Sequence, residues 1–199
     1  MTSIAHLTIE TDNGSGREFY TDALALGELV QVQPTAEPSS GFRGFALGLV
    51  TAQPDDVDAL MSDALAAGAT ELKPAAKSLW GYGGVVQAPD GTIVTLASES
   101  KKNTGAATRE VSSVVLQLGV ADVVGSRQFY EGKGFTVAKS FGRKYAELDT
   151  GRISLTLNRR RDLAKNAGVA EDGTGSHRIR IAGSSAFTDP DGYAWVAAD

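Results

Sequence analysis

The sequence predicts an α+β fold made of two similar units, and an internal repeat is the main observation that predicts it. A strand-like run followed by Arg-x-Phe-Tyr occurs at 6–20 and again at 115–130. Each half also closes on Pro-Asp-Gly and a β-prone run, at 89–97 and 190–196. Because an internal repeat constrains the architecture more than any single element does, we expect two folded modules of similar design.

The first unit is predicted to contain strands and two helices. Alternating or β-prone runs predict the strands, and apolar stripes that end at glycine predict the helices. In order, the predicted elements are strand 4–11, a helix from 19 to 27, strand 29–33, a polar loop 34–41, strand 42–50, a helix from 55 to 68, a loop 73–84, and strands 85–87 and 93–97. Pro89-Asp90-Gly91 predicts a hairpin turn, because proline presets φ and glycine allows positive φ.

A polar segment without periodicity, 99–108, separates the two units. We therefore expect module 1 at 1–99, a linker at 100–109 and module 2 at 110–199. The second unit is predicted to contain strand 111–119, helix 123–132, strands 136–140, 144–149 and 153–157, helix 161–167, strand 177–182 and a hairpin around 190–192. Only Gly183-Ser184-Ser185 stands where the first unit has a long amphipathic helix, so the two halves of a shared cavity should differ in shape.

Composition restricts the class of protein. Apolar residues make up 42% and charged residues 22% of the 199, which is ordinary for a soluble globular chain. The net charge of −5 argues against a nucleic-acid surface, and the absence of cysteine excludes disulfides and zinc–thiolate sites. Because neither a leader pattern nor an apolar run of about 20 residues is present, we expect a cytoplasmic protein without a membrane span.

The order of strand, helix and three strands, ending in a Pro-Asp-Gly hairpin, resembles the vicinal oxygen chelate superfamily. That superfamily includes glyoxalase I, extradiol dioxygenases and bleomycin-resistance proteins. The resemblance is carried by Phe19-Tyr20 and Phe129-Tyr130 and by the turns Asp90-Gly91 and Asp191-Gly192. It implies two tandem βαβββ modules that form a curled mixed-sheet pseudo-dimer around a cavity.

The resemblance also bears on metal binding. Metal-dependent members take ligands from the first and last strands of both modules, and the matching positions here are His6, Val115, Thr95 and Val196. Among these four, only His6 carries a strong metal-binding group. The expected cofactor is therefore none, and one divalent metal ion bound in part by His6 is the alternative.

Aromatic and arginine residues are the candidate ligand-binding groups. Trp80 and Tyr82 lie in a glycine-rich segment, where they either stack on a flat ligand or fill the core. The pairs Phe42-Arg43 and Phe141-Gly142-Arg143 occur at similar places in both halves. An arginine beside a ring either holds a carboxylate or phenolate, or lies on an outer surface.

Two further residues complete the candidate set. Tyr145 alternates with Glu147 and Asp149, so this strand face is polar and faces either water or a cavity. Trp195 lies on the last strand and belongs either to the core or to a cavity wall.

The expected function is metal-free binding of an aromatic or drug-like small molecule. The alternative is a metal-dependent glyoxalase-like lyase, isomerase or dioxygenase with an atypical ligand set, so enzymatic activity stays open. The expected partner is a small-molecule ligand, not nucleic acid or membrane, and the chain is expected to be a monomeric pseudo-dimer or a homodimer.

Overall fold

The structure is a computed structural model that describes residues 2–79 and 81–198. It has the predicted α+β architecture, with curled mixed sheets and short helices. The strands are β1 (Ile4–Thr11), β2 (Val30–Pro34), β3 (Ser39–Gly41), β4 (Phe45–Thr51), β5 (Thr70–Ser78), β6 (Gly81–Gln87), β7 (Ile93–Ser98), β8 (Val111–Val120), β9 (Thr136–Phe141), β10 (Tyr145–Asp149), β11 (Ile153–Arg159), β12 (Gly173–Gly175), β13 (Ile179–Gly183), β14 (Phe187–Thr188) and β15 (Ala194–Ala197).

Two of the α-helices, the first and the second, begin at N-terminal signals in the sequence. The α-helices are α1 (Pro54–Ala66), α2 (Val123–Gly132) and α3 (Arg160–Ala167). Proline occupies the first turn of α1, and the Asp122 carboxylate accepts the Val124 N–H at 3.1 Å at the start of α2. Within the described ranges, no helix has the length and apolar character needed to cross a membrane.

The larger sheet has eight strands in the order β5-β6-β7-β4-β8-β11-β10-β9. Its two central strands, β4 and β8, pair antiparallel, and each pairs on its other side with a parallel strand, β7 or β11. The order of one strand, one helix and three strands therefore occurs twice in this sheet, at 45–98 and at 111–159.

The smaller sheet joins the two ends of the chain in the order β14-β15-β13-β1-β2, and β12 pairs with β3 separately. Both predicted modules, 1–99 and 110–199, thus contribute strands to both sheets, and the domain boundaries between them stay a prediction. Residues 100–109 contain neither helix nor strand.

The main core lies on one face of the larger sheet. Fully buried leucines from the two central strands, Leu47, Leu49, Leu116 and Leu118, belong to one cluster with residues of α1 and of the smaller sheet. A second, smaller cluster forms where α3 packs against the opposite face of the larger sheet and includes Phe42, Ala46, Ile93, Leu163 and Ala167.

The repeated Phe-Tyr pairs have a structural explanation. The Tyr20 hydroxyl donates to the Asp90 carboxylate at 2.6 Å, and the Tyr130 hydroxyl donates to the Asp189 carboxylate at 2.7 Å. Each bond ties a helix to the turn of the following hairpin. The partner in the second unit is Asp189, two residues before the Asp191 that matches Asp90 in the repeat.

The predicted loop 73–84 is wrong, because β5 and β6 occupy most of it. Its glycines serve close packing within a strand. A Cβ at Gly83 would lie 2.5 Å from the Leu96 carbonyl oxygen, and a Cβ at Gly84 would clash with the sulfur of Met61.

Other predicted boundaries also differ. The first helix is a five-residue π-helix, Phe19–Ala23, followed by a separate 3₁₀ turn at Gly27–Leu29. The short strand β3 lies inside the predicted loop 34–41. Strands β4 and β13 begin at Phe45 and Ile179, later than the predicted 42 and 177, because Gly44 (φ +89°) and Arg178 (φ +53°) leave the extended conformation.

Replacing Asp56 is expected to detach the end of the linker, residues 108–109, from α1. This carboxylate is 1% exposed and accepts the backbone N–H groups of Thr108, at 2.6 Å, and Arg109, at 3.3 Å. Asp56→Ala removes their acceptor, so we expect the free energy of unfolding at neutral pH to fall by about 1–3 kcal/mol in urea titrations.

The pH dependence of this loss follows from the pKa of Asp56. Burial alone would raise that pKa, but hydrogen bonds from Thr108, Gln53 and Arg109 lower it below its usual value. The stabilisation is therefore present above the unfolded pKa of about 3.9 and is lost as pH falls below it. The control is Asp63→Ala, which breaks an ion pair with the exposed Arg109 and should cost at most about 1 kcal/mol. Equal losses in the two variants would contradict the assignment.

Candidate functional site

The candidate site is the part of the larger sheet that faces away from the main core and lies beside the area that α3 covers. Side chains alternate along a strand, so the neighbours of the buried leucines point to this other side. Thr95, Gly48, Val115 and Ser154 lie directly opposite one another across β7, β4, β8 and β11. We call this surface the open face and define it by these residues with Gln117, Glu147, Thr156, Asn158, Tyr145, Lys139 and Phe141.

Neutral polar groups occupy the centre of the open face. Gln117 Nε2 donates to Thr95 Oγ1 at 2.9 Å, and Asn158 Nδ2 donates to Thr156 Oγ1 at 3.0 Å. Gly48 makes room for the amide, because a Cβ there would lie 2.6 Å from Gln117 Nε2. Gln117 and Asn158 are half-buried and Thr156 is buried, so the centre is a partly sheltered polar surface.

The β9–β10 hairpin forms an aromatic rim beside this centre. The ring centroids of Phe141 and Tyr145 are 5.9 Å apart, and the Lys139 ammonium lies 5.2 Å from the Phe141 centroid. Phe141 is 59% exposed, which leaves most of its ring available for contact. Arg143 lies in the exposed turn of the same hairpin.

Tyr145 and Glu147 form a donor–acceptor pair on the same face. The Tyr145 hydroxyl donates to Glu147 Oε2 at 3.0 Å. Burial, followed by the charge and hydrogen bond of Glu147, raises the pKa of Tyr145 well above its usual value. The phenol therefore stays protonated at neutral pH.

The predicted ligand-binding residues are spread over several places. Phe141, Arg143 and Tyr145 lie together at the rim of the open face. Phe42 is buried beneath α3, with the Arg160 guanidinium 5.1 Å from its ring, and Arg43 lies beside the Asp90 turn. Trp80 lies outside the described residues.

Tyr82 lies on β6, far from the rim in the order of the larger sheet, and Trp195 lies on β15 of the smaller sheet. The Tyr82 hydroxyl donates to Asp58 of α1 at 2.7 Å, and this bond, with burial, raises the pKa of Tyr82 to about 12. Trp195 is 3% exposed and packs inside the smaller sheet's aromatic cluster. Their roles in ligand binding stay predictions.

The sequence-based set missed Gln117, Thr156 and Asn158. A signal was available in the alternation of polar and apolar residues along β8 and β11, with Val115 and Gln117 on one side and Leu116 and Leu118 on the other. That pattern predicts strands, but it does not say which strands lie side by side.

The donors on the open face do not fit a divalent metal ion. The residues directly opposed across the four central strands supply two hydroxyls and no imidazole or carboxylate, and the carboxylate that belongs to the open face, Glu147, accepts the Tyr145 hydroxyl. Across 2–79 and 81–198, no three His, Cys, Asp or Glu residues lie close enough together to hold a metal.

The four positions carried over from the metal-dependent proteins also fail to converge. Thr95 and Val115 lie on the open face, on either side of Gly48. His6 and Val196 both pair with Ala182 in the smaller sheet. His6 and Val196 therefore lie in a different sheet from Thr95 and Val115.

Solved structures share this fold over nearly the whole chain. Glyoxalase I from Zea mays is 16% identical, with 100% of this chain and 92% of that chain covered and a TM-score of 0.64. A candidate dioxygenase from Bacillus subtilis is 10% identical, with 95% and 71% covered and a TM-score of 0.57. No protein-family model matches the sequence, and no curated protein matches it significantly.

These similarities establish the class of fold. The chain has the fold of glyoxalase I and of this dioxygenase, which confirms the fold that the two repeated motifs implied.

Proposed function

We propose that this chain binds a small organic molecule on the open face and does so without a metal ion. The observation that carries the proposal is the sheltered row of neutral polar side chains at the centre of the larger sheet, represented by Gln117, Thr156 and Asn158. A solvated strand face usually carries long charged residues. Here these three residues are flanked by Thr95, Gly48, Val115 and Ser154, none of which carries a charge.

The chemistry of the rim supports an aromatic ligand with hydrogen-bonding substituents. An exposed ring such as Phe141 can stack on a flat molecule, and such stacking contributes about 0.5–1.5 kcal/mol beyond the area that it buries. The Gln117 amide has a second N–H besides the one that it donates to Thr95, and the Tyr145 oxygen can accept a hydrogen bond within the same face. A few oriented polar groups beside apolar surface are typical of small-molecule sites.

The alternative is a metal-dependent lyase, isomerase or dioxygenase. It draws support from the names of the structural neighbours, but the donors on the open face offer no ligand set for the ion. We also propose that the protein is cytoplasmic and that it is a monomeric pseudo-dimer or a homodimer.

The proposal predicts that some aromatic compound raises the melting temperature of the purified chain in the presence of a chelator. A ligand at 100 times its Kd adds about 2.7 kcal/mol of stability. For a chain of this size that is a rise of roughly 5–10 °C. The measurement is a thermal-shift screen of an aromatic compound library, with Trp fluorescence as a second readout.

Two tryptophan substitutions locate the binding site. Ser154→Trp fills the half-buried centre of the open face, whereas Ser112→Trp adds the same ring at an exposed position on the other side of β8. We expect the compound-dependent shift to disappear in the first variant and persist in the second. A shift that survives in Ser154→Trp would place the ligand elsewhere.

A further inference from the structure

A separate cleft lies between the end of β1, the short strand β3 and the Asp90 turn. Its volume is about 390 Å³, and its lining includes Thr11, Asp12, Tyr20, Arg43, Asp90 and Arg178. None of these residues belongs to the open face.

Two nearly buried guanidinium groups line this cleft. The side chains of Arg43 and Arg178 are only 9% and 10% exposed. Arg43 donates to the Asp90 carbonyl oxygen, and Arg178 donates to the Glu37 carbonyl oxygen at 2.9 Å. Burial lowers the pKa of Arg43, Asp90 opposes this, and the positive charge of Arg178 lowers it further, so the two cations influence each other.

Arg178 has a strained backbone and an unpaired polar atom, which a purely structural residue rarely combines. Its backbone has φ +53°, a left-handed conformation that non-glycine residues adopt rarely. Its Nε is buried and has no hydrogen-bond partner among the described residues. Strained residues with unsatisfied polar groups are found preferentially at functional sites.

The carboxylate that pairs with Arg178 comes from an exposed residue. Asp12 Oδ1 lies 2.6 Å from the Arg178 guanidinium, although the Asp12 side chain is 82% exposed. Exposed carboxylates contribute little to such a pair and move easily into water. An external carboxylate or phosphate can therefore take the place of Asp12 on Arg178.

The second acidic residue of the cleft is engaged elsewhere. Asp90 accepts the Tyr20 hydroxyl at 2.6 Å and the Thr92 N–H at 2.7 Å, and lies 3.9 Å from Arg43. Once Asp12 has swung away, two guanidinium groups face this one carboxylate, and the cleft carries a net positive charge. Guanidinium groups bind planar oxyanions by paired hydrogen bonds.

We propose that this cleft is a second binding site, which takes the carboxylate or phosphate group of a small anionic molecule between Arg43 and Arg178, with Asp12 as an internal competitor. This site is independent of the proposed function of the open face.

Calorimetric titration of the full chain with citrate and with inorganic phosphate, at constant ionic strength, tests the proposal. Asp12→Asn removes the competitor and is expected to tighten binding of the preferred anion about three- to tenfold. Arg178→Gln is expected to weaken binding at least tenfold. Arg178→Lys keeps the positive charge but loses the paired N–H donors of the guanidinium, so its affinity is expected to lie between those of wild type and Arg178→Gln. The tighter of the two probes identifies carboxylate or phosphate as the recognised group.

A matched ion pair outside the cleft controls for general charge effects. Asp63→Asn and Arg109→Gln change the same charges in a surface ion pair and should leave both affinities unaltered. Ser154→Trp should leave them unaltered as well, which separates this site from the open face. Binding of neither probe, equal binding by all variants, or weaker binding by Asp12→Asn would each overturn the proposal.

Discussion

Asp189→Ala is expected to lower the free energy of unfolding by about 3–5 kcal/mol, which is among the largest effects of any single substitution in this chain. The Asp189 side chain is 5% exposed and accepts three hydrogen bonds, from the Tyr130 hydroxyl at 2.7 Å and from the N–H groups of Tyr193, at 2.9 Å, and Asp191, at 3.0 Å. Alanine leaves these three donors without an acceptor. Chemical denaturation monitored by circular dichroism measures the loss.

Tyr130→Phe is the matched control for Asp189→Ala. It removes one of the three donors and leaves the two backbone bonds to the carboxylate, so a smaller loss of about 1–2 kcal/mol is expected. If Tyr130→Phe costs as much as Asp189→Ala, the packing of the tyrosine and not the carboxylate holds the hairpin.

The loss in Asp189→Ala should also depend on pH. Burial raises the pKa of Asp189 above its unfolded value of about 3.9. The folded state therefore binds the proton more tightly, and the stabilisation by Asp189 is complete below about pH 4 and decreases as pH rises through the folded pKa. The difference between wild type and Asp189→Ala should shrink between pH 4 and pH 7, and a difference that grows would contradict the assignment.

Trp195→Ala is expected to cost a similar amount, about 3–5 kcal/mol, because it empties the centre of an aromatic cluster. The indole stacks on Phe187 with centroids 5.1 Å apart and an interplanar angle of 14°, and lies 5.1 Å from Phe135. Its Nε1 donates to the Tyr130 hydroxyl at 3.2 Å. Guanidinium chloride denaturation followed by circular dichroism measures this change without depending on tryptophan emission.

Trp195→Phe tests whether the indole stabilises the core by packing or contacts a ligand. Trp195→Phe retains a ring against Phe187 and should lose roughly half as much stability as Trp195→Ala. A stable Trp195→Ala variant that has lost binding of an aromatic compound would show that the indole is a cavity wall instead of core.

The repeat and its hairpins could be predicted from the sequence because they depend on local chemistry. Pro89-Asp90-Gly91 and Pro190-Asp191-Gly192 do form turns between antiparallel strands, β6–β7 and β14–β15. The Phe-Tyr pairs could be aligned for the same reason. Their hydrogen bonds to Asp90 and Asp189 could not be foreseen, because the second partner departs from the repeat by two residues.

The pairing of strands depends on contacts between residues far apart in sequence, and local patterns do not report it. The antiparallel contact of β4 with β8, which brings Gly48 opposite Val115, joins the two halves into one sheet. Only that pairing reveals that Gln117 and Thr95 share a face. The glycines at the start of β6 predict a loop, but in the structure they allow close packing, which only the tertiary structure reveals.

The candidate site was predictable only in part for the same reason. Phe141, Arg143 and Tyr145 are close in sequence, so their proximity at the rim follows from one hairpin. Phe42 and Arg43 resemble them in sequence, but lie between β3 and β4, where α3 and the Asp90 turn cover them.

The most direct test of the central claim is elemental analysis of the full chain purified without chelator, together with melting curves before and after addition of Mn²⁺, Ni²⁺ or Zn²⁺. The donor set of the open face predicts metal far below one equivalent and an unchanged melting temperature. Near-stoichiometric metal that is lost on Ser154→Trp substitution, or a metal-dependent rise in melting temperature, would contradict metal-free binding and restore the enzyme alternative.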